Sequence, residues 1–70
     1  MYFDNRKLLA QMVLRNVKTE EVAKELGINP ATFYRKLNKD REFTRSEIQK
    51  LIEFLDIENP MDIFFATGDA

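Results

Sequence analysis

Apolar positions along the chain recur at intervals of three and four, and no stretch alternates in the two-residue rhythm of a strand. Five short helices follow from that rhythm and from the residues that punctuate it. The first opens at Asp4 or Asn5, either of which caps a helix well, and a cap at Asp4 would let Phe3 and Leu8 close a hydrophobic staple. Its inward stripe is expected to be Leu8, Leu9, Met12 and Val13. "KTEEVAKELG" predicts a second helix, opened by Thr19 or the residue before it, with Glu20 and Glu21 favourable in its first turn. Val22, Ala23 and Leu26 face inward, and Gly27 supplies the left-handed residue that ends such helices.

Asn29 and Pro30 start the third helix as N-cap and first-turn proline. "TRSE" at 44–47 matches a capping box, with Thr44 as cap and Glu47 at the third helical position. The fourth helix that it opens carries Ile48, Leu51, Ile52 and Leu55 in the i, i+3, i+4, i+7 pattern of one buried face. Asn59 and Pro60 repeat the cap-plus-proline signal before a short last helix with Met61, Phe64 and Phe65, and the tail "ATGDA" is expected to fray. Repeats, low-complexity segments and linkers are absent, so the whole of 1–70 reads as one all-α domain of five helices.

Only "LGIN" separates the second helix from the third, and so short a Gly-containing connection makes the two cross steeply, as in a helix-turn-helix spanning about 19–38. Ala23 is small where the helices approach, Ile28 plugs the space between them, and Phe33 and Leu37 press the third helix onto the second. At roughly 100° per residue, Phe33 and Leu37 point within about 40° of one another, and Arg35 lies about 180° from their midpoint. Ala31, Thr32, Asn38 and Lys39 flank Arg35, while Tyr34 and Lys36 sit on the two borders. A face that is small at its start and cationic further on suits a major groove, where arginine pairs with guanine and small groups meet thymine methyls.

Charge strengthens that reading only locally. The net charge is −1, but residues 1–28 carry +1, residues 29–45 carry +3 and residues 46–70 carry −5. Only the basic middle suits a polyanion. The chain has no cysteine and no histidine, which removes disulfides and the common zinc ligand sets, so no metal or cofactor is expected. With no histidine base, no cysteine nucleophile, no Gly-rich phosphate loop and no carboxylate pair in a cleft, the chain reads as a non-enzyme. No apolar run approaches the roughly 20 residues of a membrane span, and no secretion signal is visible, so a cytoplasmic setting is expected.

From 17 to 65 the sequence resembles the helix-turn-helix domain of the Cro and phage-repressor family, which also includes many small bacterial regulators. The stretches that carry the likeness are "TEEVAKELGIN", "TFYRKLN", the capped "TRSEIQKLIEFLDI" and "NPMDIFF". The resemblance implies a five-helix domain that binds double-stranded operator DNA, usually as a dimer, to regulate transcription. It places base-reading positions on Asn29, Pro30, Ala31, Thr32, Tyr34 and Arg35, and backbone-contacting positions on Thr19, Lys36, Asn38, Lys39 and Arg41. Two departures stand out. Pro30 and Ala31 replace the long polar readers of many relatives, which shifts weight to Tyr34 and Arg35. Lys36 replaces a common apolar residue, with Leu37 taking the inward role one place later.

The implied function is that of a repressor of phage or mobile-element type, and no small-molecule effector is evident in the sequence. The same residues admit plainer roles: Tyr34 can cover an apolar border, Lys36, Lys39 and Arg41 can be a solvated loop, and Thr19 can be a cap alone. A protein-interaction module reusing the fold, such as an anti-repressor or an assembly adaptor, is the competing reading, with the acidic carboxy-terminal half in its favour. For self-association, Phe64 and Phe65 diverge by about 100°. One is expected to complete the core, and the other to form a weak isologous contact with Ile63 and Phe54.

Overall fold

Capping residues set the five helices of the described residues, 3–66 in this computed structural model, close to where the punctuation predicts them. They are α1 (Asn5–Leu14), α2 (Thr19–Leu26), α3 (Pro30–Leu37), α4 (Arg45–Phe54) and α5 (Pro60–Phe64). Asp4 accepts from the Lys7 N–H at 3.3 Å and Asn29 from the Thr32 N–H at 2.8 Å. Thr44 Oγ1 accepts from the Glu47 N–H at 3.1 Å while the Glu47 carboxylate accepts from the Thr44 N–H at 2.9 Å, a complete capping box. In α2 the N-cap is Lys18, which has no side-chain acceptor, and the Glu21 carboxylate serves the Lys18 N–H at 2.8 Å. Thr19 is therefore the first helical residue, not the cap. Asn59 precedes α5 without a side-chain capping bond.

The first four helices share one ending. A left-handed residue follows each of them, at Asn16, Gly27, Lys39 and Asp56, with φ of 57°, 75°, 70° and 51°. The N–H of the next residue then turns back to a carbonyl five positions earlier: Val17 to Met12, Ile28 to Ala23, Asp40 to Arg35 and Ile57 to Ile52. This is the Schellman arrangement, which satisfies carbonyls that the helix leaves open. Gly27 alone among the four residues has no Cβ to resist that geometry.

Val17, Ile28 and Ile57 follow the left-handed residue and turn inward onto the core. Val17 and Ile28 also stand just before the caps of α2 and α3, so that each pairs in sequence with Val22 or Phe33 at the fourth helical position, the staple spacing. Phe3 with Leu8 and Phe43 with Ile48 repeat it at α1 and α4, and all eight residues belong to the core or pack against it. Three residues thus suffice to end α2 and start α3: one left-handed, one apolar, one capping.

α2 packs on α3 and α4, and α1 on α5. Leu8, Val22, Ala23, Phe33, Leu51 and Leu55 are wholly buried at the centre. Around it, Phe43 meets Phe3 edge-on at 5.3 Å between ring centroids and Phe33 at 5.9 Å, and Phe3 stacks on Phe64 at 5.8 Å. No helix among the described residues is long and apolar enough to cross a membrane.

Two expectations about packing need correction. Leu9 and Val13 do not face inward; they are 41% and 79% exposed. The buried line of α1 runs through Leu8 and Met12 and is bordered by polar residues that reach neighbouring helix ends. The Asn5 amide donates to the Leu37 carbonyl at 2.9 Å, and Gln11 and Arg15 donate to the Leu55 carbonyl at 2.8 and 3.0 Å. These bonds fix the rotation of α1 and leave Leu9 and Val13 outside. In α5 the buried residues are Ile63 and Phe64, whereas Met61 is exposed. Residues 67–70 of the tail expected to fray lie outside the described residues.

Candidate nucleic-acid interface

α3 is short, and both of its ends are anchored. Asn29 caps its start, and every one of its last four carbonyls has a partner. The Tyr34 carbonyl accepts from the Asn38 N–H, that of Arg35 from Asp40, that of Lys36 from Lys39, and that of Leu37 from the Asn5 side chain. Phe33 is fully buried and Leu37 nearly so, which sets one side of the helix against the core.

The opposite side is open. Asn29, Pro30, Ala31, Tyr34 and Arg35 are exposed, with Tyr34 at 51%, and Thr32 is half-buried. Ala31, Tyr34 and Arg35 therefore share a solvent face at spacings of three and four residues, as the helical geometry predicts. The Asn29 oxygen is committed to the cap, so only its amide N–H groups are available outward. Asn38, Lys39 and Arg41 continue the exposed surface past the end of α3, and Thr19, half-buried, stands at the start of α2.

Lys36 is the exception, and it corrects the expected contact set. It is only 8% exposed, and its ammonium is hydrogen-bonded to Glu47, itself 8% exposed. Lying three residues after Phe33, Lys36 shares the inward side of α3, and its aliphatic stem takes a place that an apolar side chain would otherwise fill. The ammonium also stands 5.9 Å from the centroid of the Phe43 ring. Held this way, Lys36 is not on the surface where a phosphate backbone would approach.

Burial pushes the Glu47 carboxyl pKa upward. The hydrogen bonds from Lys36 and from the Thr44 backbone, with the Lys36 charge beside it, outweigh that and hold it below the usual glutamate value. The carboxylate is therefore charged at neutral pH and the pair is ionic. Sequence reasoning found Glu47 as a capping residue but missed the pairing, and it missed Phe43 altogether. A signal for Phe43 was present: an aromatic residue immediately before the Thr44 cap, five places before Ile48, stands at the staple position.

The positions expected to pair two copies divide. Ile63 and Phe64 are each 6% exposed and belong to the core, so neither is available for a contact between copies. Phe65 and Phe54 remain partly exposed, and Met61 lies one helical turn before Phe65. The expectation that one terminal phenylalanine completes the core holds for Phe64.

Chemically, the site offers a rigid helix with a small-residue start, a tyrosine and an arginine, flanked by two cations on a loop. That arrangement can present donors to base edges and positive charge to phosphates. No match is found among curated proteins or among solved structures. A family model for the Cro/C1-type helix-turn-helix DNA-binding domain matches residues 7–67, which takes in all of α2 to α5 and nearly all of α1. The chain belongs to the Cro/C1-type helix-turn-helix DNA-binding family.

Proposed function

We propose that the domain is a transcriptional regulator that inserts α3 into the major groove of an operator. In this reading Arg35 and Tyr34 reach base edges, Ala31 and Thr32 allow close approach at the helix start, and Asn29 contributes its amide N–H groups. Thr19, Asn38, Lys39 and Arg41 hold the phosphate backbone on either side. The observation that carries the proposal is the division of α3: Phe33, Lys36 and Leu37 seat it, which leaves Ala31, Tyr34 and Arg35 as one exposed face.

Regulation would be by repression, of the kind found in phage and mobile elements, with a dimer occluding a promoter. A single helix-turn-helix reads few base pairs, so pairing on a two-fold operator with half-sites about 34 Å apart adds affinity. The domain measures 33 × 24 × 19 Å, a size at which two adjacent copies can reach such half-sites. Phe65 and Phe54, with Met61, are the apolar residues proposed for a weak contact between copies.

Selection of bound duplexes from a random pool, followed by affinity measured across a salt series, tests the proposal. A DNA regulator should yield a preferred site whose affinity falls steeply with added salt. Absence of any salt-dependent duplex affinity would favour the protein-interaction reading.

A further inference from the structure

We propose that Lys36 and Glu47 are positioning residues for α3: an ion pair that fixes the rotation of the helix and, through it, which bases Arg35 and Tyr34 meet. The inference deepens the DNA-binding reading above and rests on it for its functional half.

Glu47 is held in place independently of α3. Its backbone N–H donates to Thr44 Oγ1 at 3.1 Å, and its carboxylate oxygen Oε1 accepts from the Thr44 N–H at 2.9 Å. The same oxygen accepts from the Lys36 ammonium. One atom therefore joins the last turn of α3 to the first turn of α4. Lys36 is adjacent to Arg35 in the chain and about 100° from it around the helix. Anything that sets the angle of Lys36 sets the angle of Arg35.

Side-chain atoms lie roughly 5–6 Å from a helix axis, so a rotation of about 20° moves them by about 2 Å. Hydrogen bonds tolerate only a few tenths of an ångström around about 2.9 Å. A slip of a few degrees, shifting these atoms by a few tenths of an ångström, would thus already strain a base contact while asking only small adjustments of the core. Phe33 and Leu37 do not prevent such a slip by themselves, because apolar packing is non-directional. The Asn5 bond to the Leu37 carbonyl pins the last residue of α3, and the ion pair adds a second directional tie one residue earlier.

Energetics separates this role from ordinary stabilisation. A buried ion pair is often no better for stability than an apolar residue of similar shape, whereas its geometry can specify one arrangement over its neighbours. Methionine has nearly the length of lysine and suits the apolar surroundings of the stem. Lys36→Met leaves the Glu47 carboxylate without its counter-charge, so it should lower the melting temperature and, beyond that, loosen the orientation of α3.

The test uses the whole chain as parent, Lys36→Met and Lys36→Arg, with two readouts. In the free domain, amide hydrogen exchange over Tyr34–Asn38 should quicken about tenfold more in Lys36→Met than exchange in α2 and α4 does, and Lys36→Arg should stay near the parent. On duplexes selected by the parent, Lys36→Met should lose about tenfold or more in preference over random duplex, the scale of one base contact. Its dependence on salt should not change. Exchange in the free domain that is unchanged, or quickened no more over Tyr34–Asn38 than in α2 and α4, overturns the positioning role whether or not the protein binds DNA. Altered exchange with unchanged base preference overturns the link to specificity. A salt slope reduced by about one unit would mean that Lys36 swings out to a phosphate, which also overturns it. A parent with no duplex affinity defeats the DNA-binding reading, and the exchange measurement then decides the positioning claim alone. Should Lys36→Met not fold, Lys36→Gln, which keeps a donor for Glu47 without the charge, takes its place.

Discussion

The side-chain amide of Asn5, the first residue of α1, donates a 2.9 Å hydrogen bond to the carbonyl of Leu37, the last residue of α3. The two are 32 positions apart, and the bond closes the end of the helix proposed to meet DNA. Asn5→Ala leaves a partly buried carbonyl without its partner and should cost about 1–2 kcal/mol. In a domain of this length that corresponds to a fall in melting temperature of about 4–16 °C. A thermal melt indistinguishable from the parent's would show that the bond contributes nothing.

The left-handed positions make opposite predictions. Nothing lies within 4 Å of a Cβ placed on Gly27, so the Cβ of Gly27→Val meets no neighbour and the variant is opposed by the φ of 75°. A β-branched residue there should still cost more than about 1 kcal/mol. Lys39 holds a φ of 70° with a full side chain. Lys39→Gly should relieve that strain and stabilise the free domain by about 0.5–1 kcal/mol, while weakening duplex binding. Chemical denaturation of both variants reads the signs. A neutral Gly27→Val, or a destabilising Lys39→Gly, would contradict the account of the helix ends.

Two of the four left-handed residues explain what was legible in the sequence and what was not. Gly27 announces itself, and with Ile28 and Asn29 it makes the turn between α2 and α3 readable at once. Lys39 adopts the same conformation without a glycine, so the matching end of α3 is invisible to residue type. The α1 stripe failed for a related reason. Periodicity admits Leu9 and Val13 on the inward side, but the bonds from Asn5, Gln11 and Arg15 to distant carbonyls settle the rotation, and such bonds leave no local trace. In the site, Arg35 and Tyr34 were legible because they lie opposite Phe33 and Leu37. The inward turn of Lys36 depends on Glu47, eleven residues away on another helix, and charge alone suggested the opposite.

Glu47 gives the fold an acid limb. Its carboxyl titrates below the ordinary 4.5 in the folded chain and near that value once unfolded. Between those two values the unfolded chain binds more protons, so stability falls as pH falls. The contribution is complete above about pH 4.5 and is lost as pH drops through the lowered value. Glu47→Gln should be less stable than the parent by about 1–3 kcal/mol at neutral pH, since Lys36 keeps its charge without a counter-charge. The difference should narrow on acidification. Denaturant midpoints of the two proteins from pH 7 to pH 3 give the comparison, and a constant gap would remove the pair from the acid response.

Self-association is proposed to rest on few residues. Sedimentation equilibrium over a concentration series should detect weak dimers of the parent that Phe65→Ala abolishes, with the monomer fold retained because Phe65 lies outside the core. Phe64→Ala should instead cost about 3–5 kcal/mol as a core truncation, enough to unfold much of a domain this small. A parent that stays monomeric both free and on operator-length duplex excludes the proposed contact.

In the proposed interface the outward face of α3 reads sequence while the loop after it holds the backbone. Affinity of the parent, Arg35→Ala and Arg41→Ala for the selected operator and for random duplex, each across a salt series, tests it most directly. Arg35→Ala should lose about 1–3 kcal/mol on the operator alone and relax the preference at one position. Arg41→Ala should weaken all duplexes alike and reduce the salt slope by about one unit. If Arg35→Ala binds the operator as tightly and as selectively as the parent, α3 does not read the DNA in the way proposed.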